Sequence, residues 1–189
     1  MANPEPPKLF DFGAGAFTPA ELGRLENLCD GLPLMRSSLS GGAGDYYNDT
    51  IRVTDVAQIA PAPDNAWFFE RLAAIVRALN NRSFRFDLTG FSEPPQYMVY
   101  RDTARGHFDW HMDTGSLPPR KLSLTLQLSE PSSYEGGDFQ FNTGTVLLPA
   151  PKERGMTIVF PSHMIHRVTP VTKGVRKAIV AWITGPEFK

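Results

Sequence analysis

The chain has 189 residues, of which 41% are hydrophobic and 21% charged. This balance excludes a disordered chain, and the length fits one domain, which we expect to span 1–189. Nineteen basic and twenty acidic side chains give a formal charge of −1, so we expect no nucleic-acid partner, because such proteins carry a basic excess. No apolar run reaches the roughly 18 residues of a membrane span, and the polar N-terminus lacks a signal-peptide core. We therefore expect no membrane partner and a cytoplasmic location.

The first third of the chain has the pattern of two helices joined by a long loop. Thr18-Pro19-Ala20-Glu21 has the spacing of a capping box, with proline at the first helical position, and leucines then recur at helical spacing up to Gly31. Asp64 is predicted to cap a second helix, whose apolar stripe ends near Asn80-Asn81. Residues 37–48, rich in glycine and serine and containing two tyrosines, are a candidate substrate lid.

From Phe84 onward the hydrophobic period changes to two, which is typical of strands. Phe84, Phe86 and Leu88 alternate with polar residues, and Lys121–Ser129 places four leucines on one face and polar groups on the other. We expect further strands at Gln96–Tyr100, Gly137–Phe141, Thr145–Leu148, Met156–Phe160 and Lys177–Ile183. Short antiparallel strands behind two helices favour a mostly β protein, a jelly roll or barrel with N-terminal helices packed on one sheet.

The segment Gly106–Asp113 contains the pattern His-x-Asp twice, as His107-x-Asp109 and as His111-x-Asp113. Residues i and i+2 of a strand share a face, so either pair could present an imidazole and a carboxylate to one metal ion. A chance occurrence on a surface strand would look the same. The pattern alone does not decide between the two pairs.

The remaining two histidines lie some fifty residues further along, in Phe160–Val168. Either His163 or His166 could supply a third ligand from a neighbouring strand. Two imidazoles and one carboxylate leave open positions on a metal and suit non-haem Fe(II) and oxygen chemistry. Arg176 follows across a turn, where its guanidinium could bind a carboxylate.

Three groups of motifs together resemble one known family. They are Tyr100…Gly106-x-Phe108-x-x-His111-x-Asp113, then Tyr134-Glu135-Gly136-Gly137-Asp138, then Phe160-Pro161-Ser162…His166-Arg167-Val168-Thr169-Pro170-Val171…Gly174-x-Arg176. The set resembles the prolyl/lysyl-hydroxylase-type (prolyl 4-hydroxylase-like) branch of the Fe(II)/2-oxoglutarate-dependent dioxygenases. The resemblance implies a double-stranded β-helix, with a catalytic core over 91–184 and helical and loop support, including the lid, over 1–90.

The resemblance also implies roles for individual residues. It makes three residues both iron ligands and catalytic residues: His111, Asp113 and His166. It makes Arg176 the partner of the distal carboxylate of 2-oxoglutarate, with the Tyr100 hydroxyl assisting, and Gln127 is expected to point into the same pocket. His107 and Asp109 are expected on the pocket rim or on the surface, and His163 on the opposite face of its strand.

Two positions bear on the reaction. Related halogenases have a small residue where this chain has Asp113, and the nucleic-acid dealkylase branch has an arginine where this chain has Trp182. Trp182 is expected, with Val168, to line the barrel, although plain core packing explains it equally well. Asp113 therefore favours hydroxylation over halogenation, and Trp182 argues against the dealkylase branch.

The implied reaction hydroxylates an unactivated C–H of a prolyl or other amino-acid-type substrate while 2-oxoglutarate is decarboxylated to succinate and CO2. The implied cofactors are Fe(II), 2-oxoglutarate as co-substrate and O2, with ascorbate as an optional addition. The substrate could be a peptide or a small molecule, including a natural product. A non-catalytic jelly-roll module that binds a metal or another ligand is the alternative. The oligomeric state is left open.

Overall fold

A computed structural model describes residues 8–41, 44–115 and 118–187. These residues form two α-helices, α1 (Pro19–Asp30) and α2 (Ala66–Leu79), the latter continued by a π-helical turn at Asn80–Phe84. The strands are β1 (Asp11–Gly13), β2 (Met35–Arg36), β3 (Leu39–Gly41), β4 (Gly44–Tyr46), β5 (Arg52–Val53), β6 (Asp55–Gln58), β7 (Gly90–Phe91), β8 (Gln96–Arg101), β9 (His107–His111), β10 (Arg120–Gln127), β11 (Tyr134–Gly136), β12 (Phe139–Asn142), β13 (Leu147–Pro149), β14 (Thr157–Pro161), β15 (His166–Val168) and β16 (Val171–Thr184).

Two antiparallel sheets face each other. In the larger sheet the order is β1-β14-β10-β16-β8-β6-β2, with β7 and β11 also paired to β16, and in the smaller it is β13-β12-β15-β9-β5. Apolar side chains from β8 and β14 of the larger sheet and from β12 and β15 of the smaller one pack together between them. This mostly β jelly roll confirms the predicted fold class.

The outer face of the larger sheet carries both helices. The four leucines of the β10 segment (Leu122, Leu124, Leu126, Leu128) are buried against apolar residues of α1 and α2. The predicted capping box is present, because Thr18 Oγ1 accepts from the Glu21 backbone while the Glu21 carboxylate accepts from the Thr18 backbone. The alternation of the β10 segment therefore directs its apolar face to the helices and its polar face into the molecule.

The second helix begins at Ala66 rather than after Asp64. Asn65 is its N-cap residue, but the Asn65 side chain makes no capping bond. It accepts instead from the Ala62 backbone (2.8 Å) and donates to the Ala60 carbonyl (2.9 Å). The prediction that Asp64 caps this helix is therefore wrong. The N-cap position belongs to Asn65, whose side chain holds the preceding loop.

The predicted strand over Phe84–Leu88 is also wrong. Asn80 donates to the Phe86 carbonyl and accepts from the Phe86 amide, at 2.9 and 3.0 Å, and thereby occupies both backbone groups that a strand would use. Arg85 adopts a left-handed conformation (φ +58°), and the Phe84 and Phe86 rings stack on each other against the core. The alternating pattern thus reflects an irregular segment packed on helix α2.

The first ninety residues contribute more than helices and loops, because β1, β2 and β6 extend the larger sheet and β5 is an edge strand of the smaller one. The candidate lid contains the β3–β4 hairpin; its residues 42 and 43 lie outside the described part of the chain. Among the described residues, neither helix is both long and apolar enough to cross a membrane.

Candidate active site

A cavity of about 650 Å³ lies between the two sheets. The larger sheet lines it with the polar face of β10, including Ser123 and Thr125, and with Arg176 and Trp182 of β16. The smaller sheet lines it with residues of β9 and β15. Residues 35–39, together with Asp45 and Tyr46 of β4, also line it. The volume is within the range of sites that bind small molecules.

Three potential metal ligands meet in this cavity. The donor atoms of His111, Asp113 and His166 all lie within 4.8 Å of one another. His111 Nε2 is 3.7 Å from Asp113 Oδ1, and His166 Nε2 is 3.5 Å from Asp113 Oδ2. The pairing of β9 with β15 creates this arrangement, because it sets His111 directly opposite His166.

Backbone carbonyls fix the orientation of both imidazoles. His111 Nδ1 lies 2.7 Å from the Asp109 carbonyl oxygen, and His166 Nδ1 lies 2.8 Å from that of Met164. A carbonyl can only accept, so each Nδ1 carries a hydrogen, and in the neutral tautomer that this selects Nε2 is the nitrogen free to bind a metal. Both lone pairs face the Asp113 carboxylate, as metal ligands require.

The site favours neutral histidine beside an ionised carboxylate. Burial, with the nearby His166, lowers the pKa of His111 to about 4, so this imidazole is neutral at pH 7. Burial alone would raise the pKa of Asp113, but the two imidazoles and hydrogen bonds from Ser123 and Trp182 outweigh it and hold that pKa below its usual value. The Ser123 hydroxyl donates to Asp113 Oδ2 at 2.7 Å.

A β-bulge separates the two His-x-Asp pairs. Val168 is opposite Phe108 while His166 is opposite His111, so three steps along β9 match two along β15. Phe108 consequently shares the cavity face with His111, and their rings stack with centroids 3.4 Å apart. The His107 and Asp109 side chains do not line the cavity, so the rim position is wrong, and the exposed Asp109 fits the surface alternative.

His163 lies in the turn between β14 and β15, not on a strand. The expected opposite-face orientation in a strand therefore does not apply. Val168 and Trp182 do line the cavity, as predicted.

Arg176 is buried in the wall, with 1% of its surface exposed. It is opposite Tyr100 in the β8–β16 pairing, and its guanidinium carbon lies 5.2 Å from the centre of the Tyr100 ring. Nη2 donates to Gln127 Oε1 at 2.9 Å, whereas Nε is buried without a partner among the described residues. Gln127 also donates to the Pro151 carbonyl (3.2 Å) and does not line the cavity, so it lies behind Arg176 instead of pointing into the pocket as predicted.

Sequence reasoning missed three contributors to the cavity. Ser123 could have been found, because it is on the polar face of the leucine-rich strand. Arg120 lines the mouth, where Glu93 accepts from its Nε and Nη2 at 3.0 and 2.6 Å and the Trp182 ring lies 4.1 Å from its guanidinium carbon. Arg52 comes from the N-terminal part of the chain, where no local pattern marks it.

A jelly roll with two histidines and a carboxylate converging in its interior, beside a buried arginine, is the arrangement of a non-haem iron oxygenase. The comparisons with known proteins agree. Residues 95–184 match the model of the 2OG-Fe(II) oxygenase superfamily. A PKHD-type hydroxylase of Xanthomonas campestris pv. campestris is 28% identical over 183 residues, covering 88% of this chain and 74% of the relative.

Solved structures are similar along most of the chain. A Pseudomonas putida prolyl-4-hydroxylase has a TM-score of 0.72 at 21% identity, with 95% of this chain and 94% of that one covered. A Trichoplax adhaerens prolyl hydroxylase, solved with a hypoxia inducible factor peptide fragment, also has a TM-score of 0.72, at 16% identity and with 93% and 83% covered. The matches support the recognition from the motifs: residues 95–184 match the 2OG-Fe(II) oxygenase superfamily, and the chain is similar in fold to prolyl hydroxylases.

Other curated relatives match over a shorter span. A PKHD-type hydroxylase of Teredinibacter turnerae is 37% identical over 97 residues, which cover 48% of this chain and 42% of the relative. One of Synechococcus sp. is 31% identical over 90 residues, 47% of this chain and 41% of the relative. The chain thus spans less than half the length of these relatives.

The superfamily implies Fe(II), 2-oxoglutarate and O2, and the residues fit the first two. Two fixed imidazole lone pairs and an ionised carboxylate converge at one point, which is a donor set for Fe(II). The buried, unpartnered Nε of Arg176 leaves a guanidinium with donors for a carboxylate.

Proposed function

We propose that the chain is an Fe(II)/2-oxoglutarate-dependent hydroxylase acting on an unactivated C–H of a prolyl or other amino-acid-type substrate. In the balanced reaction, substrate C–H, 2-oxoglutarate and O2 give substrate C–OH, succinate and CO2. The observation that carries the proposal is the convergence of His111, Asp113 and His166 in one cavity with Arg176. Ferrous iron, when bound, supplies the activation of oxygen.

The chain's own residues bind and orient the reactants. His111, Asp113 and His166 would hold the metal, with both imidazoles oriented by the carbonyls of Asp109 and Met164. Ser123 holds one carboxylate oxygen of Asp113. The three side chains line the cavity, where both the co-substrate and the substrate would enter.

Arg176 would bind the far carboxylate of 2-oxoglutarate. A charge-assisted bidentate contact in a buried wall is stronger than a surface ion pair and favours a diacid of fixed length. Tyr100, whose ring lies beside the guanidinium, would assist through its hydroxyl. Gln127 acts as a positioning residue for Arg176.

Residues 37–48 would act as the substrate lid. Ser38, Leu39, Asp45 and Tyr46 all line the cavity, which supports this role. The Trichoplax adhaerens prolyl hydroxylase is in complex with a peptide fragment, which supports a peptide as one candidate substrate beside a small molecule.

The decisive experiment measures Fe(II) binding and 2-oxoglutarate-dependent succinate formation in two aspartate variants of the same segment. Asp113→Ala should lose Fe(II) binding and succinate formation, because it removes the carboxylate ligand. Asp109→Ala should retain both, because that side chain is exposed and outside the cavity. Retention of both properties by Asp113→Ala would refute the iron site. Fe(II) bound by the wild type without any succinate formation would favour a non-catalytic binding module.

A further inference from the structure

Arg52 is a second arginine of the cavity wall, on the sheet opposite Arg176. It lies on the edge strand β5, whose pairing sets it against Phe108 of β9. Its guanidinium carbon is 4.5 Å from the centre of the Phe108 ring, which in turn stacks on His111. The guanidinium of Arg52 is thus one aromatic ring away from a candidate iron ligand.

The hydrogen-bonding capacity of Arg52 is largely unused. Nη1 donates to the Ser38 carbonyl at 3.3 Å and Nη2 approaches the Met98 sulfur at 3.8 Å, both long contacts. Nε is buried and has no partner in the described part of the chain. A donor left unsatisfied in a buried position costs free energy unless a ligand binds it.

Among the described residues no ion pair balances the charge of Arg52, which Asp113 attracts only from beyond ion-pair distance. Three carboxylates line the cavity, and two are engaged elsewhere: Glu93 with Arg120, and Asp113 with the two imidazoles. The third, Asp45, accepts from the Ser38 hydroxyl at 3.2 Å. Within the described ranges, none of the three forms an ion pair with Arg52.

Exposed apolar side chains are among the residues that line the cavity. Met35, Tyr46 and Met112 line it and are 69%, 47% and 50% exposed. Exposed large apolar residues around a concave site are typical of a surface that a ligand covers. The cavity therefore offers a cationic group near the triad and apolar side chains that could contact the body of a ligand.

We propose that Arg52 binds a carboxylate of the primary substrate, which is therefore a free, amino-acid-type carboxylic acid with an apolar body and not an internal residue of a peptide. This inference rests on the proposed function and names its substrate class. Arg176 already serves the co-substrate from the opposite wall. A free carboxylate beside Phe108 would satisfy the charge and the open donors of Arg52, which a neutral peptide group would not.

The binding test uses the full chain with Fe(II) and saturating 2-oxoglutarate under argon. Cyclohexanecarboxylate and cyclohexanecarboxamide are the probes, because they have similar shapes and differ in charge. The acid should raise the wild-type melting temperature more than the amide does. Arg52→Gln should weaken acid binding about 10- to 100-fold, Arg52→Lys less so, and Arg77→Gln, on the exposed face of α2, not at all.

The proposal would be overturned if the acid and the amide raised the melting temperature of the wild type equally. It would also be overturned if the acid raised the melting temperatures of Arg52→Gln and the wild type equally. The Arg52→Lys variant keeps the charge, so a defect confined to Arg52→Gln reports on the charge and not on misfolding. The melting temperatures without probe serve as the folding control.

The turnover test compares free L-amino acids with their amides and with peptides that carry the same residues internally. Free acids should stimulate succinate formation, and Arg52→Gln should raise their KM while the KM for 2-oxoglutarate stays the same. A raised 2-oxoglutarate KM with unchanged preference for the acid would assign Arg52 to the co-substrate and overturn the proposal. Equal stimulation by amides or internal peptide residues would also overturn it.

The two proposals fail separately. Basal succinate formation without substrate tests the hydroxylase alone, since it requires the iron site and Arg176 but no primary substrate. If the wild type shows none, the proposed function fails. If basal formation is normal while the acid and the amide behave alike, only the role of Arg52 fails.

Discussion

The guanidinium of Arg176 is held in place by a neutral partner. Gln127 Oε1 accepts from Nη2, and the other end of the same amide donates to the Pro151 carbonyl, so the amide is oriented from both sides. A carboxylate in place of Gln127 would orient the guanidinium equally well but would neutralise it. The amide therefore leaves the full positive charge for a ligand.

Gln127→Glu should raise the KM for 2-oxoglutarate by about 10- to 100-fold, because the new carboxylate would compete with the ligand for Arg176. Iron binding should be unchanged. Gln140→Glu is a matched control, since Gln140 also accepts from an arginine (Arg167 Nε, 2.9 Å) but does not line the cavity. Steady-state kinetics with varied 2-oxoglutarate measures the effect, and an unchanged KM in Gln127→Glu would contradict it.

Arg176→Lys should raise the same KM by a similar factor and leave Fe(II) affinity unaltered. Lysine keeps the charge but replaces a planar fork with a single ammonium group, which cannot make two parallel hydrogen bonds to one carboxylate. Calorimetric titration with Fe(II), followed by kinetics, separates the two properties. Loss of Fe(II) binding in this variant would show that Arg176 supports the metal site instead.

Strand β9 shows how pairing decides which side chains reach a site. In a regular strand His107, Asp109 and His111 would share one face, but the bulge opposite β15 turns Phe108 and His111 toward the cavity. The bulge depends on a partner nearly sixty residues away. No local pattern in Gly106–Asp113 specifies it.

The segment after α2 owes its irregular shape to one side chain. Asn80 is 6% exposed and bonds both backbone groups of Phe86, whereas the neighbouring Asn81 is exposed. Asn80→Ala should lower the free energy of unfolding by about 1–3 kcal/mol, because it removes both of these hydrogen bonds. Asn81→Ala should change it by less than about 0.5 kcal/mol. Urea unfolding compares the two, and equal effects would contradict the assignment.

The features that could be predicted are those specified by neighbouring residues. The capping box of α1 needs only Thr18 and Glu21, and the two faces of the Lys121–Ser129 segment need only alternation. The triad remains a prediction as a set of iron ligands, although the fold brings its members together. The position of Gln127, the place of Arg52 in the cavity wall and the shape of the segment after Asn80 depend on distant contacts, which a sequence pattern does not contain.

The helices and the larger sheet enclose a single thiol at their interface. Cys29 of α1 is fully buried in the main core, next to charged residues of the same helix and of β16. Burial, with nearby Asp30 and Glu26, raises the pKa of this thiol from 9.0 to about 12. Desolvation opposes the thiolate, so the native protein keeps the thiol protonated where the unfolded chain would lose the proton.

This difference makes the stability of the whole molecule fall at alkaline pH. A pKa raised on folding contributes stability that is fully present below the unfolded value of 9.0 and is lost as pH rises toward 12. Between pH 8 and pH 10 the loss from Cys29 should be about 1 kcal/mol. Tyr97, whose pKa burial also raises, acts in the same direction. Cys29→Ala removes only the thiol, so its free energy of unfolding should fall less between these pH values than that of the wild type. Urea unfolding measures both proteins, and the same pH dependence in Cys29→Ala and in the wild type would show that burial does not raise the pKa of the thiol.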